Sequence, residues 1–218
     1  MRFLITAGPT REPIDPVRYL SNRSSGKMGY AIAEAAIGAG HEVILISGPV
    51  NLGPPRGAKL ISVSTSDEMF DAVHERVREC DVLVMCAAVA DYKPKHVSKS
   101  KIKKRDANLS LELIQTRDIL ASLPTPERHY VVVGFAAETE NLEANARKKL
   151  LKKNCDIVVA NDISRTDSGM ESDENEVTIL FRDREKKKVS RAPKKIVARE
   201  LIKTFENVCE KRLTKKIA

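Results

Sequence analysis

His41-Glu42-Val43-Ile44-Leu45-Ile46-Ser47 is a near-continuous apolar run of strand length. A strand with one wet face alternates apolar and polar residues, whereas a strand covered on both faces does not. The run therefore predicts a strand of a parallel sheet with helices above and below it. Immediately before it, Tyr30–Gly38 reads as a helix of small residues, and before that Arg2–Ala7 reads as a first buried strand. Gly8-Pro9-Thr10 turns the chain, and Glu12-Pro13-Ile14-Asp15-Pro16 is too rich in proline for a regular element and is expected to be loop. After the run, Gly48–Gly57 holds three prolines and three glycines and is loop, and Leu60–Ser64 is a further strand.

Continuing outward, Ser66-Asp67-Glu68 opens a helix with an acidic first turn, and Met69, Phe70, Val73 and Val77 follow at helical spacing. Asp81–Ala87 is a very apolar strand, Leu109–Ile114 another, and Arg117–Leu123 a short helix with Asp118 near its start. His129–Phe135 is a strand, Asn141–Lys153 a helix with Leu142, Ala146 and Leu150 inward, and Asp156–Ala160 a strand. Ser164–Asn175 is polar loop, and Glu176–Arg182 with Lys188–Arg191 form a hairpin. The last helix runs from about Lys194 to Arg212, with Val197, Leu201, Phe205 and Val208 as its core stripe. Strands alternating with helices imply an α/β fold with a mostly parallel sheet flanked by helices, plus a C-terminal β-hairpin. No internal repeat or clean boundary divides the chain, so residues 1–218 are expected to form a single domain.

Composition narrows the function. The 218 residues carry 38 Lys and Arg against 30 Asp and Glu, a net charge of +8 that favours anionic partners or, equally, a solvated Lys/Glu-rich surface. Aromatics are 4% with no Trp, which argues against an aromatic platform for nucleic-acid bases. Cys80, Cys86, Cys155 and Cys209 form no CxxC pair, no zinc spacing accompanies them, and a reducing cytoplasm is the expected setting. No signal-peptide pattern opens the sequence, and no apolar run approaches the about 20 residues of a membrane span. The four histidines are scattered, no HExxH or carboxylate pair stands out, and both the dinucleotide fingerprint and the P-loop are incomplete.

Two stretches point to anions. Ser21-Asn22-Arg23-Ser24-Ser25-Gly26-Lys27-Met28-Gly29 leads into the first helix; Ser24 or Ser25 is placed to cap it, and the glycines admit a ligand close to the backbone. A helix N-terminus attracts an anion. From Lys93 to Arg105 there are seven Lys or Arg and no acid, a segment that follows a strand end, where α/β sheets bind ligands, and that is suited to closing over phosphates as a flap. Lys149 and Lys153, four apart, share a helix face. A helix N-terminus, a basic flap and a lysine pair together form a constellation for a polyphosphate, with Mg²⁺ expected on the phosphate oxygens.

Asn22–Gly29, Ala87-Ala88-Val89-Ala90-Asp91-Tyr92, Lys101-Ile102-Lys103-Lys104, Gly134-Phe135-Ala136-Ala137-Glu138-Thr139 and Ala160-Asn161-Asp162 occur in this order. In them the chain resembles phosphopantothenate–cysteine ligase, the synthetase half of the bifunctional coenzyme A biosynthesis flavoprotein. The resemblance runs from Phe3 to about Phe205 and implies a Rossmann-like three-layer fold. It also implies a reaction: a nucleoside triphosphate, CTP or ATP, activates the carboxylate of 4′-phosphopantothenate as an acyl-nucleotidylate, and L-cysteine displaces the nucleotide.

By the same resemblance Asn22 would orient the acyl carbonyl and Arg18 would bind near the pantothenate end. Ser24, Ser25, Gly26 and Lys27 would lie along the phosphates. Ala87, Ala88 and Asp91 would line the site, and Lys101, on a flap over about 92–106, would neutralise charge in the first half-reaction. Arg117-Asp118-Ile119-Leu120 would contact the base, Phe135 would pack on the nucleotide, and Lys149 and Lys153 would sit on the base and phosphate side. The family often has Pro-Asp-Ile-Val where this chain has Arg117 to Leu120, which leaves the choice between CTP and ATP open. The resemblance further implies a homodimer, in which the hairpin near Glu176–Arg191 is a candidate participant, and a phosphopantothenoylcysteine decarboxylase as partner; no flavin segment is present in this chain. Two other readings of the residues are a dinucleotide-binding oxidoreductase, motivated by the βα order and Gly8, and a nucleic-acid-binding module, motivated by Lys93–Arg105.

Overall fold

Val43 to Ile46 lies inside an eight-stranded sheet. The computed structural model describes residues 1–104, 108–124, 128–162 and 172–217. In chain order the first elements are β1 (Arg2–Ala7), β2 (Arg11–Pro13), β3 (Tyr19–Ser21), α1 (Lys27–Gly38), β4 (Glu42–Ser47) and β5 (Ala58–Ser62). Then come α2 (Ser66–Arg76), a 3₁₀ turn over Val77–Glu79, β6 (Val82–Met85), β7 (Tyr92–Pro94), β8 (Leu113–Gln115) and β9 (Val131–Glu138). The chain closes with α3 (Leu142–Lys152), β10 (Ile157–Asp162), β11 (Glu174–Phe181), β12 (Lys186–Pro193) and α4 (Lys194–Ile217).

The sheet order is β12-β11-β10-β9-β6-β1-β4-β5. The six strands from β10 to β5 are parallel, and the β11–β12 hairpin extends the sheet antiparallel beside β10. Alternate residues of each strand feed two cores. Phe3, Ile5, Leu45, Val84, Val133 and Val159 pack with α1 and α4 on one face, and Leu4, Ile46, Leu83, Val132 and Val158 pack with α2 and α3 on the other. Each fully buried Leu or Ile among them contributes about 1.5–3 kcal/mol. The fold is thus the Rossmann-like three-layer α/β arrangement.

The order fixes where a ligand site belongs. The chain runs outward from β1 through β4 to β5, then returns to the other side of β1 for β6, β9 and β10. The reversal leaves a crevice between the C-terminal ends of β1 and β6, the position at which such sheets bind ligands. That crevice is laced by backbone bonds: Ala88 N donates to Gly8 O at 2.9 Å and Thr10 N to Ala88 O at 3.2 Å.

Several local expectations are corrected. The proline-rich stretch contributes β2, which pairs with β3; Pro13 tolerates this because it sits at the end of a two-stranded ribbon. Leu109–Ile114 reduces to β8, paired antiparallel with β7. Arg117–Leu123 forms turns instead of a helix: Ala121 N donates to the Asp118 side chain at 3.0 Å and Ser122 Oγ to Ile119 O at 2.8 Å, and these side chains compete with helical bonding. The cap of α1 is Gly26, at φ 77°, with no side-chain cap; Ser24 Oγ instead accepts from Gly26 N at 3.4 Å. A Cβ at Gly26 would stand 2.7 Å from Val50 Cγ1, so the loop packs too closely for a serine cap. Arg105 and Asp106 of the expected flap, and residues 164–171 of the expected loop, lie outside the described residues.

Candidate functional site

Two clefts open at the C-terminal ends of the sheet strands, and a third lies between the β2–β3 loop and the basic segment. The first, about 470 Å³, is bounded by Ala87 and Asp91 after β6, by Phe135 of β9, by the turn Asp118–Leu120, and by Lys149 and Lys153 of α3. Eight residues expected around the nucleotide and substrate therefore meet in one cavity, although the sequence spreads them from Ala87 to Lys153. Lys149 donates from Nζ to Phe135 O at 2.5 Å. Burial holds its pKa below the ordinary lysine value, so its charge is poorly solvated and gains from an incoming anion. Burial would raise the Asp118 carboxyl, but the hydrogen bonds from Lys153 and Ala121 N and the charges of Lys153 and Lys149 together outweigh it and keep Asp118 below the usual range.

The second cleft, about 650 Å³, lies on the α1 side of the sheet and is lined by Asn22, Ser24, Ser25 and Lys27, facing Pro49 to Leu52. Gly26 carries the chain from this loop into α1. With no side-chain cap, the first-turn N–H groups of α1 remain oriented for an anion. Lys27 Nζ pairs with Asp173 at 2.6 Å. Asn22 Nδ2 donates to Ala88 O at 3.0 Å, which joins this cleft to the strand end that lines the first. One N–H and the carbonyl oxygen of that amide remain beyond the Ala88 bond.

The third cleft holds Arg18 and Lys101 together, apart from the other expected residues. Asp15, wholly shielded from solvent, organises it. Its carboxylate accepts from Val17 N at 2.8 Å, from Arg18 N at 2.9 Å, from Arg18 Nη2 at 2.5 Å and from Ile102 N at 3.0 Å. Arg18 Nη2 also donates to Ile102 O at 2.7 Å. The Arg18 guanidinium holds the Asp15 carboxyl far below the usual range. The basic segment is thus fastened to the loop between β2 and β3, with Lys101 exposed beside the fastening.

Residues that sequence reasoning passed over are Asp15, Glu12 and Asp67. Asp15 had one signal, an acid three positions before Arg18 in a tight proline-flanked loop. Cys86, at the strand end, is no nucleophile candidate: burial pushes its thiol up to about 12. Asn161, at the end of β10, has a buried side-chain oxygen with no hydrogen-bond partner among the described residues. Among the described residues no group of three His, Cys, Asp or Glu is arranged to hold a metal ion, and no helix is long and apolar enough to cross a membrane.

Residues 1–208 match the family model described as DNA/pantothenate metabolism flavoprotein C-terminal domain. The coenzyme A biosynthesis bifunctional protein CoaBC of Bacillus subtilis (strain 168) is 48% identical over 200 residues, covering 91% of this chain and 49% of that protein. CoaBC of Escherichia coli (strain K12) is 46% identical over 190 residues, covering 85% and 47%. The chain spans about half the length of the curated relatives it matches. A crystal structure of the C-terminal domain of CoaBC superposes with a TM-score of 0.83 at 44% identity, covering 96% of both chains. On sequence and fold alike, the chain belongs to the DNA/pantothenate metabolism flavoprotein C-terminal domain family.

Proposed function

We propose that the chain joins 4′-phosphopantothenate to L-cysteine in coenzyme A biosynthesis, using a nucleoside triphosphate with CTP preferred over ATP. The observation that carries this reading is the first cleft, where a desolvated Lys149, bonded to Phe135 O, meets Lys153 and Asp118 near the ends of β6 and β9. The relatives named for coenzyme A biosynthesis support it.

In the first step a carboxylate oxygen of phosphopantothenate attacks the α-phosphorus, the bond to the β-phosphate breaks and pyrophosphate leaves. In the second, the cysteine amine attacks the acyl carbon, loses a proton, and the nucleoside monophosphate departs. Two polyanions must approach each other, so positive charge and positioning supply most of the catalysis. Lys149, Lys153 and the α1 N-terminus, with Ser24 to Lys27, take the nucleotide; Asn22 directs its remaining N–H to the acyl oxygen; Arg18 and Lys101 take the negative charge of the substrates. Mg²⁺ would be held mainly through the nucleotide and would neutralise its charge, and Asp91, which makes no ion pair among the described residues, would be the pocket carboxylate to assist it.

A homodimer is part of the proposal. Tyr92, Val97, Leu109, Leu111, Leu113 and Ile114 are exposed on or beside the β7–β8 ribbon, an apolar surface suited to a second copy. The β11–β12 hairpin is less suited, because its apolar side is spent on the core with α4. A phosphopantothenoylcysteine decarboxylase partner is also part of the proposal, in keeping with relatives named as bifunctional, and unpaired cysteines fit a reducing cytoplasm. The strand order also suits a dinucleotide oxidoreductase, but the link from β1 to α1 runs through β2 and β3 instead of a tight glycine turn. The nucleic-acid reading loses ground because Lys93 pairs with Asp67 and Lys95 with Glu112.

The test is pyrophosphate release with phosphopantothenate and CTP or ATP, followed by cysteine and mass detection of the amide. Release that requires phosphopantothenate, faster with CTP, is expected. Pyrophosphate release from neither nucleotide, or an amide formed without one, overturns the proposal.

A further inference from the structure

The first turn of α2 contributes no residue to the three clefts, yet the segments that build them are tied to it. The α2 N-terminus is closed by a reciprocal cap between Thr65 and Glu68, which makes it a rigid post. Buried Glu12 of β2 accepts from Ser66 N at 2.8 Å and Ser66 Oγ at 3.1 Å, and Arg11 N donates to Ser64 O at 2.7 Å. Asp67 makes two further ties with its two carboxylate oxygens. Oδ2 pairs with Lys93 of β7, the strand that leads into the basic segment. Oδ1 accepts from Arg117 Nε at 3.1 Å, directly before the Asp118–Leu120 wall of the first cleft.

Arg117 is held more than once. Its Nη2 also donates to Asp67 O at 3.1 Å and pairs with Asp71 at 2.9 Å, and its guanidinium lies 3.9 Å over the Phe70 ring. Lys93 has no second ion pair among the described residues. The lysine hydrogen bond keeps the Asp67 carboxyl below the usual range, so both ties persist through neutral pH.

We propose that Asp67 is a positioning residue for nucleotide use, whose carboxylate couples the base-side wall of the cleft to the ribbon carrying the basic segment. This rests on the nucleotide reading of the first cleft given above. One anion with two cationic dependants moves both segments as a unit. A bound triphosphate then draws the wall and the basic segment together, at no extra ordering cost for the second. Such half-exposed pairs contribute little to global stability, so a purely structural role would leave kinetics unchanged.

The experiment compares Asp67→Asn, Asp67→Glu, Lys93→Gln, Arg117→Gln and the Asp67→Asn/Lys93→Gln double variant. Pyrophosphate release gives kcat and the nucleotide KM, and thermal unfolding gives stability. Asp67→Asn is expected to raise KM and lower kcat, each by about 5–10-fold, the size typical of coupled neighbours. Arg117→Gln should act mainly on KM and Lys93→Gln mainly on kcat. Asp67→Glu should recover most of both, and the double variant should be no worse than Asp67→Asn. Amide exchange without substrate should rise together in residues 92–94 and 113–120 of Asp67→Asn.

Wild-type kcat and KM in Asp67→Asn, strict additivity in the double variant, or exchange that rises in only one segment overturns the coupling. A wild-type protein that releases no pyrophosphate sinks the ligase reading instead, and the exchange comparison then decides the coupling by itself.

Discussion

Gly48→Ala tests how the crevice between β1 and β6 is built. A Cβ at Gly48 would stand 1.9 Å from Pro9 O and 2.8 Å from Pro9 C. A carbon approaches a carbonyl oxygen no closer than about 3.3 Å, even in a weak C–H hydrogen bond. The two backbones must therefore part by more than about 1 Å, and no side chain can rotate to relieve them. Pro9 is bridged to Ala88, so the shift pulls on Ala88 N→Gly8 O and Thr10 N→Ala88 O. Losing those two bonds in a largely buried turn costs about 2–4 kcal/mol. For a chain of this size each kcal/mol lowers Tm by about 2–4 °C, so a fall of roughly 5–15 °C is expected. Function should fall further than stability. Ala88 O also receives Asn22, and a misplacement near 1 Å costs catalysis up to about 10²-fold. Calorimetry and ligation rates well below Tm measure both, with Gly38→Ala as control, since nothing lies within 4 Å of a Cβ there. A Gly48→Ala protein melting within about 1 °C of wild type, with its ligation rate intact, would refute this account of the crevice.

Three further outcomes are expected. Burial lowers the Lys149 pKa from the ordinary 10.5, so the cation that attracts phosphate is lost as pH rises through that lowered value; nucleotide affinity should decline below the ordinary lysine range, and Lys149→Met should remove that alkaline limb in a binding titration. The Asp15 carboxyl is depressed by Arg18, so its contribution is complete above the ordinary 3.8 and is lost as pH falls through the folded value; Asp15→Asn should release Ser98 to Ile102 at neutral pH, read as faster proteolysis there and slower pyrophosphate release. Asp156, at the start of β10, accepts from Arg128 Nη2 at 2.8 Å, Val132 N at 2.8 Å and Arg212 Nη1 at 3.4 Å, and none of these four residues lines a cleft; Asp156→Ala strands the nearly buried Arg128 and should cost about 3 kcal/mol in denaturant unfolding, with an unchanged nucleotide KM.

What the sequence declared and what it concealed divide by the range of the interactions. Val43 to Ile46 announces a strand covered on both faces because each residue pays its own burial, and β1, β6, β9 and β10 are legible for the same reason. The hairpin is legible from alternation in Val177, Ile179 and Val189. β2 and β3, or β7 and β8, have no such signature: each is a three-residue strand defined by its partner. The α1 cap is hidden in the sequence because two serines satisfy the local preference for capping, while the approach of Val50 and Gly8, which only Gly26 admits, is a tertiary fact. In the site, Lys149 and Lys153 announce a shared face, yet nothing in their spacing says that Phe135 O and Asp118 receive them. Asp67 reads as an ordinary acid in a helix first turn, and its two cations lie distant in sequence.

The placement of the clefts sharpens the proposed chemistry. Asp118 and Lys149 meet where α3 covers the sheet, whereas Ser24 to Lys27 belong to α1 on the opposite face. A nucleotide whose base enters the first cleft reaches the α1 N-terminus only by crossing the sheet edge at Ala87 and Ala88. That crossing is laced by hydrogen bonds from Ala88 to Gly8 and from Thr10 and Asn22 to Ala88. In the proposed reaction the α-phosphate, which lies between the base and the terminal phosphates, would fall at that crossing. On the proposed reading Asn22 would therefore stand beside the phosphorus under attack instead of beside the leaving pyrophosphate. This is the arrangement an acyl transfer needs from an amide donor, and it separates Asn22 from Ser24 and Ser25, its close neighbours in sequence, by the task each performs.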